Sequence, residues 1–380
     1  MILKTATISD IRPKAEGALR ALFLGDVHLL HRRTPTQVIV DNLRDKLTAA
    51  ILYNVDVVYI TGDLWDDSRH LRQDDTQIAL EFLSDLVSMA KVFDFGLRVL
   101  EGTPSHDHGQ SKIIRTINRT VNADVVYLDG IGIYNDPRLD MAVGYVQDEY
   151  NTSAIETEKE MREIMKTHGL KKVGFFVMHG CFTFQLPVFK AESFNEKFWV
   201  PRCTYGIFIG HDHRPKTCGL IRVTGSFDRL SHNEEEDKGI TIVDFSGGIT
   251  TGYFLVNELA VPYLTVREQP TDDMLYAECI KALGAMDAHP NGEHGRLRIQ
   301  HAHNSNIVES IRKWAKEFPF IITGDKLADP TKEKELQLAF EPDEEEEAID
   351  KTNLASLIFE ELGDTKFDRE LASEILQEVA

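Results

Sequence analysis

Four short apolar runs in this sequence each lead into aspartate or histidine. They occupy residues 22–28, 57–63, 175–179 and 207–213. In the last of them, His211 and His213 are two residues apart, so an extended chain would direct both to one side. Any one of these residues alone is explained as a cap, a turn or a satisfied core residue. Together, the four strand ends predict one metal centre at one edge of a sheet.

Size and composition are consistent with several buried cores. The chain has 380 residues, 42% of them hydrophobic, which is enough for two or three domains. No stretch approaches the roughly 20 uninterrupted apolar residues of a membrane span, and residues 1–17 lack the apolar core of a signal peptide. The four cysteines form no CxxC pair, which argues against a zinc knuckle and for a reducing, cytoplasmic location.

The net charge of −20 is unevenly distributed. Residues 341–380 contain 14 acidic and 3 basic residues, so the C-terminal segment accounts for about half of the excess. Acidity of this kind does not exclude a local basic groove for nucleic acid. Divalent cations bound at an aspartate-rich site would offset part of the remaining charge.

Through the first half, predicted strands at 21–24, 55–60 and 97–100 alternate with predicted helices at 35–54, 75–92 and 111–121. This alternation predicts a layered α/β domain. From residue 125 onward the pattern changes to short strands, including 125–128, 141–146 and, further along, 263–266. This change predicts that the domain becomes a two-sheet sandwich flanked by helices. We therefore predict a sandwich domain at residues 1–256 and a small α/β module at 257–335. An acidic linker at 336–350 and a helical tail at 351–380 follow.

Six side chains at these strand ends are candidate metal ligands: Asp26, His28, Asp63, His179, His211 and His213. Mixed carboxylate and imidazole ligands favour Mn²⁺, Fe²⁺ or Zn²⁺ over Ca²⁺. Two such ions about 3.5–4 Å apart form a clamp for displacement at a phosphate ester. His106, which follows the predicted strand at 97–100, would lie at the same edge and could protonate a leaving oxygen. Taken alone, His106 is better explained as a surface turn histidine.

In order, these segments resemble the five signatures of the calcineurin-like metallophosphoesterases. The matching motifs are Asp26-x-His28, Gly62-Asp63, Gly102…His106-Asp107, His179 and Gly210-His211-x-His213. The resemblance covers about residues 20–250 and implies a two-sheet sandwich with a dimetal centre. It assigns one ion to Asp26, His28, Asp63 and His213, and the other to Asp63, His179 and His211. It implies that His106 is the proton donor.

A second resemblance narrows the family. Residues 225–231 and the acidic run at 234–237 are similar to the segment after the last ligands in SbcD-type nucleases, including phage forms. The similarity extends more weakly past residue 256. It implies a nuclease with exonuclease and endonuclease activity on double-stranded DNA ends, acting in recombination and repair. It further implies a DNA-capping module, a tail that binds an SbcC-type coiled-coil ATPase, a homodimer, and Mn²⁺ or alternatively Mg²⁺ as the metal.

The chain departs from the family pattern in the proton-donor segment. The family places Asn directly before His there, and that Asn binds the second metal. This chain has Thr103-Pro104-Ser105 before His106 and no Asn. The Ser105 hydroxyl is a candidate replacement, although a neutral hydroxyl is a poorer ligand than an amide oxygen. The sequence therefore predicts a weaker second metal site.

Basic residues near several motifs predict a track for DNA phosphates: Arg32, Arg33, Arg69, Arg72, Lys112, Arg115 and Arg229. Solvated surface charge is the alternative explanation for each of them. Two other functions stay open. A small-molecule or protein phosphoesterase would need neither the extra module nor the tail. A DNA-end tether with a decayed site would not need to retain six ligands and His106.

Overall fold

The computed structural model describes residues 2–66, 69, 73–151, 153–185, 193–303 and 305–327. The predicted linker at 336–350, the predicted tail at 351–380 and Arg72 lie outside these residues. Within them, two large sheets are flanked by helices, which confirms the predicted α/β class. No helix in the described part of the chain is both long and apolar enough to cross a membrane.

The first sheet has seven strands and a parallel centre. Their order is β1 (Ile2–Ala6), β13 (Ile249–Val256), β12 (Gly239–Ser246), β2 (Leu19–Leu24), β3 (Val57–Thr61), β4 (Gly96–Leu100) and β5 (Val125–Leu128). Strands β2 to β5 run parallel, and β12 is antiparallel to β2. The carboxyl ends of the parallel strands therefore meet at one edge of the sheet.

The second sheet has six strands and, like the first, a parallel centre. Their order is β10 (Lys216–Cys218), β11 (Ile221–Val223), β9 (Cys203–Gly210), β8 (Val173–His179), β7 (Met141–Val146) and β6 (Ile131–Asp136). Strands β7, β8 and β9 are parallel. The two sheets pack face to face through apolar side chains. For example, the ring of Phe23 on β2 stacks on Phe208 of β9 with centroids 3.7 Å apart.

Nine α-helices lie in the described part of the chain, and five of them cover the outer faces of the two large sheets. Their bounds are α1 (Thr36–Lys46), α2 (Ala49–Leu52), α3 (Asp74–Val92), α4 (Pro104–Asp107), α5 (Ile113–Val121), α6 (Ala154–Thr167), α7 (Glu196–Trp199), α8 (Asp272–Asp287) and α9 (Ile307–Glu317). Helices α1, α3 and α5 share a core with the first sheet. Helices α6 and α7 share one with the second. Their apolar faces are thus buried against the sheets.

Residues after the sandwich form a third, smaller sheet. Strands β14 (Tyr263–Val266), β15 (Arg296–His301) and β16 (Ile321–Lys326) have their own core with α8 and α9. Polar contacts join this region to the sandwich. Asn291 Nδ2 donates to Asn42 Oδ1 over 3.1 Å, and Arg229 Nη1 donates to the Ala260 carbonyl over 2.9 Å. Residues 1–325 form one compact unit.

A buried ion network joins the first sheet to the second. Arg98 on β4 is fully buried, and its Nε donates to Asp136 Oδ2 over 2.9 Å. Its Nη1 donates to Asp124 Oδ1 over 2.9 Å. Tyr59 Oη also donates to Asp136 over 2.6 Å. The carboxylate of Asp136 is therefore buried with Arg98 as its charged partner.

Arg98→Met is expected to lower the free energy of unfolding by about 3–5 kcal/mol, because Asp136 would keep a buried charge without a cation. Urea titration with metal chelated measures this effect. The matched control is Arg44→Met, which breaks the surface pair with Asp85 and should change stability by less than about 1 kcal/mol. Equal effects of the two substitutions would contradict the prediction.

Candidate metal centre

The two sheets bring their ligand-bearing strand ends to one place. Asp26 follows β2, Asp63 follows β3, His179 ends β8, and His211 follows β9. The backbone N–H of His211 donates to Asp26 Oδ1 over 2.8 Å, and His179 Nδ1 donates to the Thr61 carbonyl over 2.6 Å. These hydrogen bonds join loops of one sheet to loops of the other. The predicted metal-binding edge is therefore shared by both sheets.

The backbone at several of these residues is strained. Asp26, His28, Asp63 and His211 have φ values of 46°, 51°, 47° and 98°. Positive φ is unusual for residues other than glycine and costs free energy, so it persists where surrounding structure imposes it. Four such residues at one edge indicate that these loops hold a costly backbone conformation, as is common at functional sites.

A first group of ligand atoms comes from Asp26, His28 and His213, and these atoms lie within 4.8 Å of one another. His28 Nε2 and His213 Nε2 are 3.2 Å apart. Neighbouring ligands of one octahedral ion at about 2.1 Å are about 3 Å apart. The facing imidazole nitrogens therefore have the spacing of two ligands on a shared cation.

A second group comes from Asp63, His179 and His211, again within 4.8 Å. His179 Nε2 is 3.1 Å from Asp63 Oδ2. The same Asp63 oxygen is 3.8 Å from His28 Nε2, which belongs to the first group. Asp63 thus lies between the two groups, where a carboxylate can serve both.

Unsatisfied polar atoms at the centre support metal binding. Asp26 Oδ2 and His179 Nε2 are buried and have no hydrogen-bond partner. Asp63 Oδ2 lies near His179 Nε2, but the two atoms are not aligned for a hydrogen bond. Buried polar atoms are nearly always satisfied, so two orphans in one place require an explanation. The histidine and aspartate groups can hold a metal ion, and an ion bound at either group would satisfy the unpaired atom of that group.

An outer ring of acceptors orients three of the histidines. His28 Nδ1 is 2.9 Å from Asp66 Oδ1, and His213 Nδ1 is 3.1 Å from Glu234 Oε1. With the Thr61 carbonyl on His179, each acceptor fixes a tautomer in which Nε2 faces the centre with a free lone pair. Metal-binding histidines commonly have an outer hydrogen bond of this kind.

Carboxylates accumulate around the centre. Burial, followed by the charges of Asp63 and Glu101, raises the pKa of Asp107 to about 7. Burial alone would raise the pKa of Asp63, but His179 and His28 beside it hold that pKa well below its usual range. This concentration of negative charge favours cations at the centre.

His106 lies on the short helix α4 beside the first group. Thr103 precedes the helix and Pro104 begins it, an arrangement that suits a helix start. His106 Nδ1 is 3.4 Å from the Asp66 carbonyl, and its ring centroid is 4.9 Å from that of His28. A hydrogen bond with Asp66 raises the pKa of His106 to about 9, although burial opposes the shift.

His106 also belongs to a third possible metal-binding group, with His28 and Asp66. His28 reaches Asp66 through Nδ1 and the first group through Nε2. A neutral imidazole has one lone pair, so His28 can ligate through only one of these nitrogens. When His28 Nδ1 donates its hydrogen to Asp66, the lone pair on Nε2 is left for a cation at the first group. His106 is then a neighbour of the first group and not one of its ligands.

Several residues around the centre were not predicted from the sequence. Asp66 follows Asp63 by three residues, and Glu234 lies in the acidic run after residue 233. Asp148 follows β7 by two residues, the same pattern that marked Asp26 and Asp63. This pattern could have revealed Asp148, because an apolar strand ends just before it.

Thr103, and not Ser105, contacts the second group. Ser105 is exposed, whereas Thr103 is buried. The Thr103 backbone N–H donates to Asp63 Oδ1 over 2.6 Å, and its hydroxyl is 3.3 Å from His211 Nδ1. Thr103 is therefore the residue of the segment 103–105 that contacts this group.

The predicted DNA contacts are scattered. Arg32, Arg33, Lys112 and Arg115 are exposed. The Arg115 guanidinium lies 4.8 Å from the ring centroid of Tyr127.

Arg69 and Arg229 are partly buried. The Arg69 guanidinium lies 5.9 Å from the Trp65 ring centroid. Arg229 donates to the Ala260 carbonyl, so it links the sandwich to the smaller region. Of the predicted basic residues within the described chain, only Arg33 contributes to the cationic cluster described next.

The structure reveals basic residues close to the centre that the sequence did not indicate. Burial, followed by the charges of Arg298, Arg33 and Arg296, lowers the pKa of His232 to about 4. Two of these arginines lie on β15 of the smaller region. His232 also lines a cavity of about 320 Å³ that includes His211 and His213. Positive charge therefore reaches one side of the candidate centre.

Gly62 is required for the position of His179. Its φ is +95°, and a Cβ there would lie 2.2 Å from His179 Nδ1. Gly62→Ala is therefore expected to displace His179 and weaken metal binding by about 10–100-fold. Equilibrium dialysis with elemental analysis measures this effect. Gly169→Ala is the control, since Gly169 has a φ of +66° and open space around it. Normal metal binding by Gly62→Ala would contradict the prediction.

Comparisons with known proteins identify no family for the chain. No family model and no curated protein matches it. Among solved structures, the crystal structure of TT1561 from Thermus thermophilus is 9% identical, covers 60% of this chain and 94% of its own, and has a TM-score of 0.36. A second solved chain is 12% identical, covers 60% of this chain and 95% of its own, and has a TM-score of 0.34.

Proposed function

We propose that this protein is a metal-dependent DNA nuclease of the SbcD type within the calcineurin-like metallophosphoesterases. The observation that carries this proposal is the position of Asp63 between two groups of ligands, with His106 beside one of them. Mn²⁺ is the proposed metal at both positions, with Mg²⁺ as the alternative. The reaction would be hydrolysis of a phosphodiester.

The residues of the site have separate roles in the proposed hydrolysis. Divalent cations, when bound, neutralise charge on a phosphodiester and lower the pKa of water. Asp63 holds the two ligand groups together, and the outer acceptors keep the imidazoles in position. His106 is half-exposed, with Nδ1 towards Asp66, so its Nε2 is available to a substrate. It would protonate the leaving oxygen, a step for which a hydrogen-bonded imidazolium is suited.

A DNA substrate is favoured over a small phosphoester by the surroundings of the centre. The cavity beside His211 and His213 is also lined by Arg214 and His232. Arg33, Arg296 and Arg298 lie near His232 and extend the positive charge onto the smaller region. Contacts of this type position a nucleic-acid backbone without reading its sequence.

The proposal includes the partners that the resemblance to SbcD-type nucleases implies. The segment at 351–380 would bind an SbcC-type coiled-coil ATPase, and two copies of the chain would form a homodimer in an intracellular repair complex. This complex would process double-strand DNA ends in recombination and repair, in the host cell if the chain is encoded by a phage.

A nuclease assay on linear duplex DNA tests the proposal. Cleavage is expected with Mn²⁺, less or none with a chelator, and more when the cognate ATPase and ATP are present. Bis(p-nitrophenyl) phosphate and p-nitrophenyl phosphate serve as small diester and monoester comparisons. Hydrolysis of the small esters without DNA cleavage would indicate a different phosphoesterase. Binding of DNA ends without any hydrolysis would indicate a tether.

A further inference from the structure

We infer that Asp148 is a ligand of the second metal position and replaces the amide oxygen that the family pattern supplies. The inference rests on the proposed dimetal site, and it extends that site by one residue. Asp148 lies two residues beyond β7, the strand next to the one that ends at His179. It therefore reaches the same edge from a strand that supplies none of the other ligands.

The contacts of Asp148 point into the centre. Its Oδ2 is 3.3 Å from His211 Nδ1 and 3.1 Å from the Thr103 hydroxyl oxygen. The Thr103 hydroxyl is in turn 3.3 Å from Asp63 Oδ2 and 3.3 Å from His211 Nδ1. One hydroxyl thus touches ligand atoms of Asp63, His211 and Asp148. These three ligands surround a common point.

The spacing fits shared coordination. The 3.3 Å between Asp148 Oδ2 and His211 Nδ1 is close to the 3.1 Å in the pair His179–Asp63 and the 3.2 Å in the pair His28–His213. Adjacent ligands of one octahedral ion are about 3 Å apart. Asp148 lies outside the set of atoms that are mutually within 4.8 Å. It is nevertheless 3.3 Å from one member of the group, His211, and 3.1 Å from the Thr103 hydroxyl that contacts a second member, Asp63.

An outer hydrogen-bonding role fits the geometry less well. Asp66 and Glu234 contact the Nδ1 atoms of their histidines on the side away from the metal groups, where Nε2 is the inward nitrogen. His211 differs from these two histidines. Its Nδ1 contacts Asp148, and the same nitrogen contacts the Thr103 hydroxyl, which also contacts Asp63. Asp148 therefore lies on the metal side of His211.

The charge of Asp148 also needs a cation. Its side chain is 12% exposed, and its ion-pair contact within the described chain is with His211 and with no lysine or arginine. A nearly buried carboxylate is costly unless it is paired or bound to a metal. With Asp148, the second position has two carboxylates and two imidazoles. Its affinity for Mn²⁺ should then match that of the first position, in contrast to the weaker site that the missing Asn predicts.

Metal binding by variants of the full chain tests the inference. Mn²⁺ titration by calorimetry, with elemental analysis after dialysis, should give two tightly bound ions in the unmodified protein. Asp148→Ala should keep one and weaken the other by about 100-fold or more. Asp148→Asn retains an oxygen for Thr103 and for the ion, so a smaller loss of about 10-fold is expected. Electron paramagnetic resonance should change from the spectrum of a coupled Mn²⁺ pair to that of a single ion in Asp148→Ala.

Two controls make the result specific. Glu149→Gln removes one charge from the adjacent exposed residue and should leave both affinities unchanged. Thr103→Val removes the hydroxyl that contacts Asp63, His211 and Asp148 but leaves all four proposed ligands, so it should weaken the second affinity by less than Asp148→Ala does. Two ions in Asp148→Ala with less than a 10-fold loss would overturn the inference, as would loss of the second ion in Thr103→Val alone. These measurements need no DNA cleavage, so an inactive protein that binds two ions through Asp148 would refute only the proposed function.

Discussion

Asp63→Asn should abolish DNA cleavage and metal pairing together. The substitution keeps the size of the side chain and the oxygen that accepts from Thr103 N–H. It removes the negative charge that lies 3.1 Å from His179 and 3.8 Å from His28. Because both ligand groups depend on this carboxylate, at least one ion should bind about 100-fold more weakly or worse. Activity should fall to the level seen with a chelator.

Thermal unfolding gives a readout of this change that is independent of activity. A ligand at 100 times its dissociation constant stabilises the folded state by about 2.7 kcal/mol. Mn²⁺ should therefore raise the melting temperature of the unmodified protein by more than that of Asp63→Asn. The control is Asp140→Asn, since Asp140 is exposed and has the same φ of 47° as Asp63. Full activity of Asp63→Asn would show that Asp63 is only a turn residue.

The elements with strong periodicity were predicted well from the sequence. The predicted strands at 125–128, 141–146 and 263–266 match β5, β7 and β14 in the structure. The predicted helix at 75–92 differs from α3 by one residue. Each of these segments has one apolar face or a continuous apolar run that a sheet or core must cover, so local pattern and tertiary packing agree.

Short and edge elements were predicted less well. The predicted helix at 35–54 is two helices in the structure, α1 and α2, separated by Leu47 and Thr48. Strand β1 and helix α4 were not predicted. Helix α4 spans four residues, too few for any hydrophobic period, and β1 is held by pairing with β13 from the far end of the domain. Such elements are set by long-range contacts that sequence pattern does not contain.

The candidate site was likewise predicted only in part from the sequence. The six predicted ligands lie in two groups because each follows a strand with a clear apolar run. Asp66, Glu234 and Asp148 were not predicted, since their roles depend on which histidine they face. Their partners His28, His213 and His211 are 38, 21 and 63 positions away along the chain. The contribution of Arg296 and Arg298 depends in the same way on how the smaller region packs near His232.

His106→Ala should lower DNA cleavage by about 10²–10⁴-fold, the usual contribution of a general acid. Metal content should stay at two ions, because His28 serves the first group through Nε2 and does not need His106. The expected result distinguishes His106 from the ligands, whose loss would reduce metal content and cleavage together. His168→Ala is the control, since His168 is an exposed histidine at the end of α6 and should leave both unchanged.

The leaving group gives the sharper form of this test. A DNA strand leaves as an alkoxide and needs a proton, whereas p-nitrophenolate leaves readily without one. His106→Ala should therefore lose far less activity on bis(p-nitrophenyl) phosphate than on DNA, and added imidazole should restore part of the DNA cleavage through the space that the half-exposed side chain leaves. Equal losses on both substrates would indicate that His106 positions the phosphate and does not donate a proton. Loss of an ion would assign His106 to the third group with Asp66 and His28 as a metal ligand.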